Sequence, residues 1–293
     1  PLASLGGEAP LSAEIGTNIG LTAEYYQPFG RASRCFVVPT LGYRAEQVPL
    51  SLGDIRLANY WQQSGNARLR IGRELGQWGV IGAEGIASTV KLSPRVAADP
   101  VLNDTFRSSQ GGVGLLFGAD TYDKANWPTS GIQVRAIAQQ LFNFDNGDRT
   151  EKYSLSGSFA TQVSDICVIV RGITERVDNE ANDPVEILSL GGFRHLSGFA
   201  ENSIPTNEYS LGTVELFSQL TAANRVVNIP VYIGATLEYA DVEFDIFEIG
   251  TGDEFLAGSL YLGVDTVVGP LHFGAGLVEG GPSSVFFAVG RTF

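Results

Sequence analysis

Leu190-Gly-Gly-Phe-Arg-His-Leu-Ser-Gly-Phe199, followed by a polar run from Ala200 to Asn207, interrupts an otherwise regular chain. On both sides of it the sequence repeats one unit: about ten alternating residues, a turn rich in Gly, Asn, Asp or Pro, then another alternating run. A soluble sandwich has no use for a glycine-punctuated insert late in such a meander. A wide barrel does, if one loop folds back into its lumen. Taken alone, Gly191, Gly192 and Gly198 ask for nothing more than tight turns.

The alternation is cleanest after the insert. Ile229, Val231, Ile233, Ala235, Leu237 and Tyr239 share one face, with Pro230, Tyr232, Gly234, Thr236 and Glu238 on the other. Leu256, Leu260, Leu262 and Val264 likewise oppose Ser259, Tyr261, Gly263 and Asp265. The same reading gives strands at residues 5–16, 17–29, 34–44, 55–75, 80–92, 111–119, 131–141, 153–161 and 165–174. It continues with 185–190, 209–220, 228–240, 256–265, 267–277 and 284–293, and finds no convincing helix. That is about fifteen segments, whereas bacterial single-chain barrels carry an even number. The chain starts at Pro1, contains no Met, and shows neither a basic segment nor an apolar run at its start. The expectation is a fragment that lacks one upstream strand, giving about sixteen strands in the full domain.

Composition fits this reading. Charged residues are 17 %, against the usual ~25 % of soluble domains. No stretch supplies the ~18 apolar residues of a spanning helix, which fits a transmembrane barrel whose apolar residues are dispersed at every second position. A large soluble all-β protein shares those bulk numbers, but the per-blade motif of a propeller is absent. The net charge of -13 excludes a phosphate-binding stripe, hence nucleic acid. Acidic residues gather in turn-like segments such as 145–148 and 178–183, which read as solvated loops, with an outer rim for calcium or lipopolysaccharide-linked cations left open. Cys35 and Cys167 lie far apart in apolar runs without metal-ligand spacing. They read as two small apolar side chains, with a disulfide left open. No metal and no cofactor is expected.

The face opposite the apolar one is rich in Gly, Ser, Thr, Gln and charge, which suits a polar lumen with lipid outside. Val285, Phe287 and Val289 alternate up to the terminal Phe293, with Arg291 as the one departure. An alternating apolar strand ending in Phe resembles the signal read by the outer-membrane barrel-assembly machinery.

Ordered segments then make the resemblance specific. They are Ala23-Glu-Tyr-Tyr-Gln-Pro28, Phe36-Val-Val-Pro39, Asp120-Thr-Tyr-Asp123 with Pro128 and Gly131, and Leu190-Gly-Gly-Phe193 with Leu196-Ser-Gly-Phe199. Ile233-Gly-Ala-Thr-Leu-Glu238 and Leu262-Gly-Val-Asp-Thr-Val-Val-Gly-Pro270 complete the set. The chain resembles, over nearly its whole length, the barrels of the bacterial surface-antigen superfamily, which includes BamA, TamA and two-partner secretion translocators. Within it the likeness is to the barrel that follows the lipase domain of patatin-like autotransporter phospholipases, a type V secretion arrangement.

The resemblance implies an all-β fold: a transmembrane antiparallel β-barrel over residues 1–293, in the bacterial outer membrane, with a long loop folding into the lumen. It also implies upstream passenger or periplasmic domains that this chain does not contain. In the superfamily the loop tip carries Val/Ile-Arg-Gly-Phe/Tyr, and here those positions fall on Leu196, Ser197, Gly198 and Phe199. Gly191, Gly192 and Phe193 belong to the same motif region. Ser197 stands where the superfamily has Arg, as in the patatin-linked branch, which puts the pairing of that cation with an acidic wall residue in doubt. By strand parity Glu238 is the first acidic wall candidate and Glu215 the second, and Arg194 is a substitute cation.

Catalysis is not expected of this chain. Gly-x-Ser-x-Gly occurs nowhere, and His195 sits two residues from Ser197 with no third orienting group. The functional expectation is a barrel that anchors an attached N-terminal passenger, a patatin-like lipase, and helps bring it to the surface. The alternatives are an assembly or secretion barrel for separate proteins, and a passive porin-like channel. Expected partners are outer-membrane lipid and lipopolysaccharide, the barrel-assembly machinery, and the passenger or a secreted protein. Homo-oligomerisation is left open.

Overall fold

The computed structural model describes residues 7–15, 19–30, 34–52, 55–97, 104–179, 187–220, 229–244, 251–266 and 269–290. Parts of the expected strands at residues 5–6, 16–18, 185–186, 228, 267–268 and 291–293, including the terminal Phe293, lie outside the described residues.

The chain runs β1 (Leu11–Ile15), β2 (Ile19–Glu24), β3 (Gln27–Phe29), β4 (Cys35–Leu52), β5 (Ile55–Glu74), β6 (Gly79–Ala97) and β7 (Phe106–Asp120). There follow β8 (Gly131–Asn143), β9 (Arg149–Val163), β10 (Ile166–Asn179), β11 (Leu188–Leu190) and β12 (Ile204–Thr206). The last strands are β13 (Glu208–Gln219), β14 (Val231–Phe244), β15 (Thr251–Thr266), β16 (Gly269–Val278) and β17 (Ser283–Val289). Among the described residues there is no helix. Among the described residues one fifteen-stranded sheet follows chain order from β1 to β17, with β3 paired beside β2 on β4, while β11 and β12 leave that path.

Two expectations need correcting. Of the expected strand at 185–190, the described residues do not join the main sheet. Leu188–Leu190 pairs instead with Ile204–Thr206, closing a short hairpin within the β10–β13 connection. The cause is local: Gly191 and Gly192 take φ of +119° and +102°, which turns the chain back immediately after Leu190. Several strands are also longer than their alternation suggested. β4 continues to Leu52 through Pro49, and β6 continues to Ala97 through Pro94. At Pro94 the register slips, with Tyr60 facing Pro94 and Asn59 facing Val96. A bulge is where a strand tolerates proline, and it also breaks the period-two signal.

The chain divides into two compact units: residues 1–119, 135–154 and 176–187, and residues 120–134, 155–175 and 188–293. In the first unit Leu69, Ile71, Ile81, Val113 and Leu115 stand exposed on one face. The other face of the same strands is polar and cross-linked. Arg70 reaches Glu84 at 3.2 Å, and the Gln139 amide donates to Glu84 at 2.9 Å.

The second unit shows the same inversion more sharply. Leu260 is 70 % exposed and Leu277 62 %, while Glu215 and Glu238, on the opposite face, are fully buried. A protein folded for water buries its leucines and exposes its glutamates. Here the rule is reversed, which is the pattern of strands with lipid on one side.

Candidate functional site: the loop seated on the wall

The site lies wholly within the second unit. Residues 191–203 connect β11 to β12 and fold into tight turns. The Gly191 N–H donates to the His195 carbonyl at 2.9 Å, His195 N–H to Gly192 at 3.0 Å, and Phe199 N–H to Leu196 at 3.0 Å. Arg194 and Leu196 take φ of +68° and +72°, a region that non-glycine residues occupy at a cost. Such backbone persists only where its surroundings fix it, and here β13 to β17 do so.

Glu238 makes the first attachment. Its Oε2 accepts the N–H groups of Leu196 at 2.6 Å and Ser197 at 2.8 Å, and its Oε1 accepts the Ser197 hydroxyl. Thr236 donates to the same carboxylate and shares a 2.7 Å hydrogen bond with Ser259. A buried carboxylate survives when hydrogen-bond donors surround it. Four converge on this one.

Glu215 makes the second. Arg194 from the loop and Arg171 from β10 both pair with it, and the Tyr261 hydroxyl donates to it. The Arg194 guanidinium also lies over the Phe193 ring, 4.7 Å from its centroid. The substitute cation therefore meets Glu215, while Glu238 holds the loop backbone and Ser197. Ser197 meets the wall through its backbone N–H and its hydroxyl, both donated to Glu238.

Close backbone approach makes the third. A Cβ on Gly198 would lie 2.6 Å from the carbonyl carbon of Leu277, and one on Gly276 would lie 2.2 Å from the Ser197 carbonyl oxygen. The Ser284 hydroxyl donates to that oxygen at 2.6 Å. Gly191 and Gly192 thus serve turns, whereas Gly198, whose φ is ordinary, serves contact with β16. Phe199 packs edge-on against Phe255, with ring centroids 5.4 Å apart. Leu190, Leu196 and Ile204 bury against Tyr209, Leu211, Ala240 and Val242.

Burial holds the His195 imidazole below its usual range, and the Ser197 hydroxyl is committed to Glu238. The pair has no catalytic geometry. Val285, Phe287 and Val289 project from β17 on the exposed apolar face, at 74 %, 67 % and 57 %. Cys35 and Cys167 are free thiols, the first half-buried and the second buried.

Sequence reading missed Arg171, Tyr261, Ser284 and Gly276. Parity put Tyr261 on the polar face, but nothing in the sequence said it would reach Glu215. Ser284 and Gly276 carry no motif and matter only because the loop lies on them.

Solved structures share this architecture. BamA from Haemophilus ducreyi lacking POTRA domains 1-3 superposes with a TM-score of 0.75 over 98 % of this chain and 64 % of its own, at 12 % identity. The fold is that of the BamA barrel. CdiB from Escherichia coli matches with a TM-score of 0.65 at 16 % identity, over 92 % of this chain and 52 % of its own. CdiB from Acinetobacter baumannii gives 0.58 at 12 % identity, over 92 % of this chain and 48 % of its own. The chain therefore spans between about half and two-thirds of the length of these structures. At these identities the likeness establishes the fold alone. No family model matches the sequence, and no curated protein does.

Proposed function

We propose that the chain is a bacterial outer-membrane β-barrel that anchors a polypeptide attached ahead of Pro1 and helps move it to the cell surface. The observation that carries the membrane placement is the inverted burial of β13 to β17: leucines exposed on one face, glutamates buried on the other. The BamA and CdiB folds support the same placement. A loop held to the polar face by hydrogen bonds and an ion pair, not by a large apolar core alone, can detach and return. That suits a passage that must be closed at rest and open in use.

On this reading the passenger is a patatin-like lipase, and the barrel itself contributes no catalytic group. The second reading is assembly or secretion of separate proteins. The test is topological. An epitope tag placed ahead of Pro1, in a chain directed to the outer membrane, is predicted to become protease-sensitive on intact cells. A tag that stays protected while the barrel is membrane-inserted contradicts passenger display and leaves the second reading. A Gly-x-Ser-x-Gly domain encoded ahead of Pro1 would identify the passenger as a lipase.

A further inference from the structure

The β7–β8 connection, residues 121–130, has no part in the attachments described so far. It is nonetheless built to reach a defined place. Asp123 ties it into shape, accepting the Thr129 and Ser130 N–H groups at 2.8 and 3.0 Å and the Thr129 hydroxyl. Asn126 then donates to Asp265 of β15 at 3.0 Å, across 139 residues of sequence. Beside it Trp127 is 3 % exposed and lies flat on Tyr232, with centroids 4.0 Å apart and planes 13° from parallel.

Its seat is keyed. A Cβ on Gly263 would lie 2.2 Å from the far edge of the Trp127 ring, so only glycine leaves room. The same indole packs against His272 at 5.1 Å. Phe193, at the turn of the inward loop, packs against that His272 at 5.0 Å and against Tyr261 at 5.1 Å. The two segments thus meet on one shelf, formed by Tyr261 and His272. That shelf also carries the hydroxyl which holds Glu215, the partner of Arg194.

Trp127 Nε1 and both ring nitrogens of His272 are buried with no hydrogen-bond partner among the described residues.

We propose that the β7–β8 connection is a second latch, in which Trp127 is a positioning residue that holds the Tyr261–His272 shelf against Phe193 and so keeps the inward loop seated. The inference rests on the barrel reading given above, and its test separates the two. Trp61 and Trp78 are replaced by Phe, leaving Trp127 as the sole indole of the reconstituted barrel. Phe193→Ala should then raise acrylamide quenching of Trp127 about twofold, because removing one occupant of the shelf frees the other. In the converse direction, Trp127→Ala and Gly263→Val should each lengthen the open dwell in single-channel recordings.

The two converse variants disturb the latch from opposite sides, one by deletion and one by displacement, so agreement between them excludes a local folding defect. Heat-modifiable gel migration reports whether each variant still forms the barrel. Unchanged quenching in Phe193→Ala, or wild-type dwell times in both Trp127→Ala and Gly263→Val with the barrel intact, overturns the latch. Failure of the parent protein to insert into vesicles overturns the barrel reading instead.

Discussion

Removing the Glu238 carboxylate should unseat the inward loop while leaving the sheet intact. In Glu238→Ala the N–H groups of Leu196 and Ser197 lose their acceptor, as do the hydroxyls of Ser197 and Thr236. The hydroxyls can turn elsewhere, but the two backbone donors cannot. Each buried donor left unserved costs about 1–3 kcal/mol, so the pair is worth about 2–6 kcal/mol. Water entering the vacated space recovers part of this, and about 3 kcal/mol is the working figure. At about 1.4 kcal/mol per tenfold, the loop's open-to-seated ratio should rise about a hundredfold. Glu238→Gln keeps one oxygen for the N–H groups but loses the charge. Charged acceptors are about twice as strong as neutral ones, so its effect should be about tenfold. Single-channel recording of the open fraction measures both, with heat-modifiable migration as the check on folding. The predicted order is Ala above Gln above wild type. Wild-type open fractions in both folded variants, or Gln opening more than Ala, would refute the assignment.

Glu215→Ala leaves Arg171 and Arg194 facing each other without their carboxylate, at a cost of about 3–5 kcal/mol; the urea midpoint of the reconstituted barrel should fall accordingly. Gly198→Ala and Gly276→Ala force atoms into the Leu277 and Ser197 backbones and should raise the open fraction, whereas Gly172→Ala meets nothing within 4 Å and should not. Leu260→Arg puts a charge on the exposed apolar face and should lower folding efficiency in vesicles by about 2–4 kcal/mol, read from urea titration. Asp123 is held at about 2, chiefly by the Thr129 hydroxyl. Because its folded value is depressed, its tie on residues 129–130 is present above the ordinary carboxylate pKa of about 4 and is lost as pH falls through about 2. Thr129→Val should move the Asp123 titration upward, as followed by carboxyl NMR; an unmoved titration would contradict the tie.

Period-two alternation was enough to give the architecture, because the outward and inward faces of each strand meet different solvents and the sequence records the difference. Ile233, Leu237, Leu260 and Leu262 announce the exposed apolar face, and Glu238 and Tyr261 the other. The signal failed where geometry departs from regular pleating. Pro94 at its bulge concealed the end of β6, and residues 188–190 carry strand-like side chains but pair only with residues 204–206. The tight turn after Leu190 was legible through Gly191 and Gly192. Which acid meets which donor was not. Both Glu215 and Glu238 share the correct face, and only the three-dimensional position of Arg194 and of the 196–197 backbone separates their roles. Trp127 lay beyond any sequence reading, since its partners on β14 to β16 are a hundred or more residues away.

The most direct test of the account asks what solvent each face of the sheet meets. Leu260→Trp, in a chain whose Trp61 and Trp78 are Phe, places an indole on the exposed apolar face and keeps Trp127 on the loop side as an internal reference. In vesicles of lipid brominated along the acyl chains, the emission added at position 260 should be strongly quenched and that of Trp127 unaffected. Quenching of Trp127 but not of position 260, or of neither, would mean that the leucine face does not meet lipid, and the barrel account would fall.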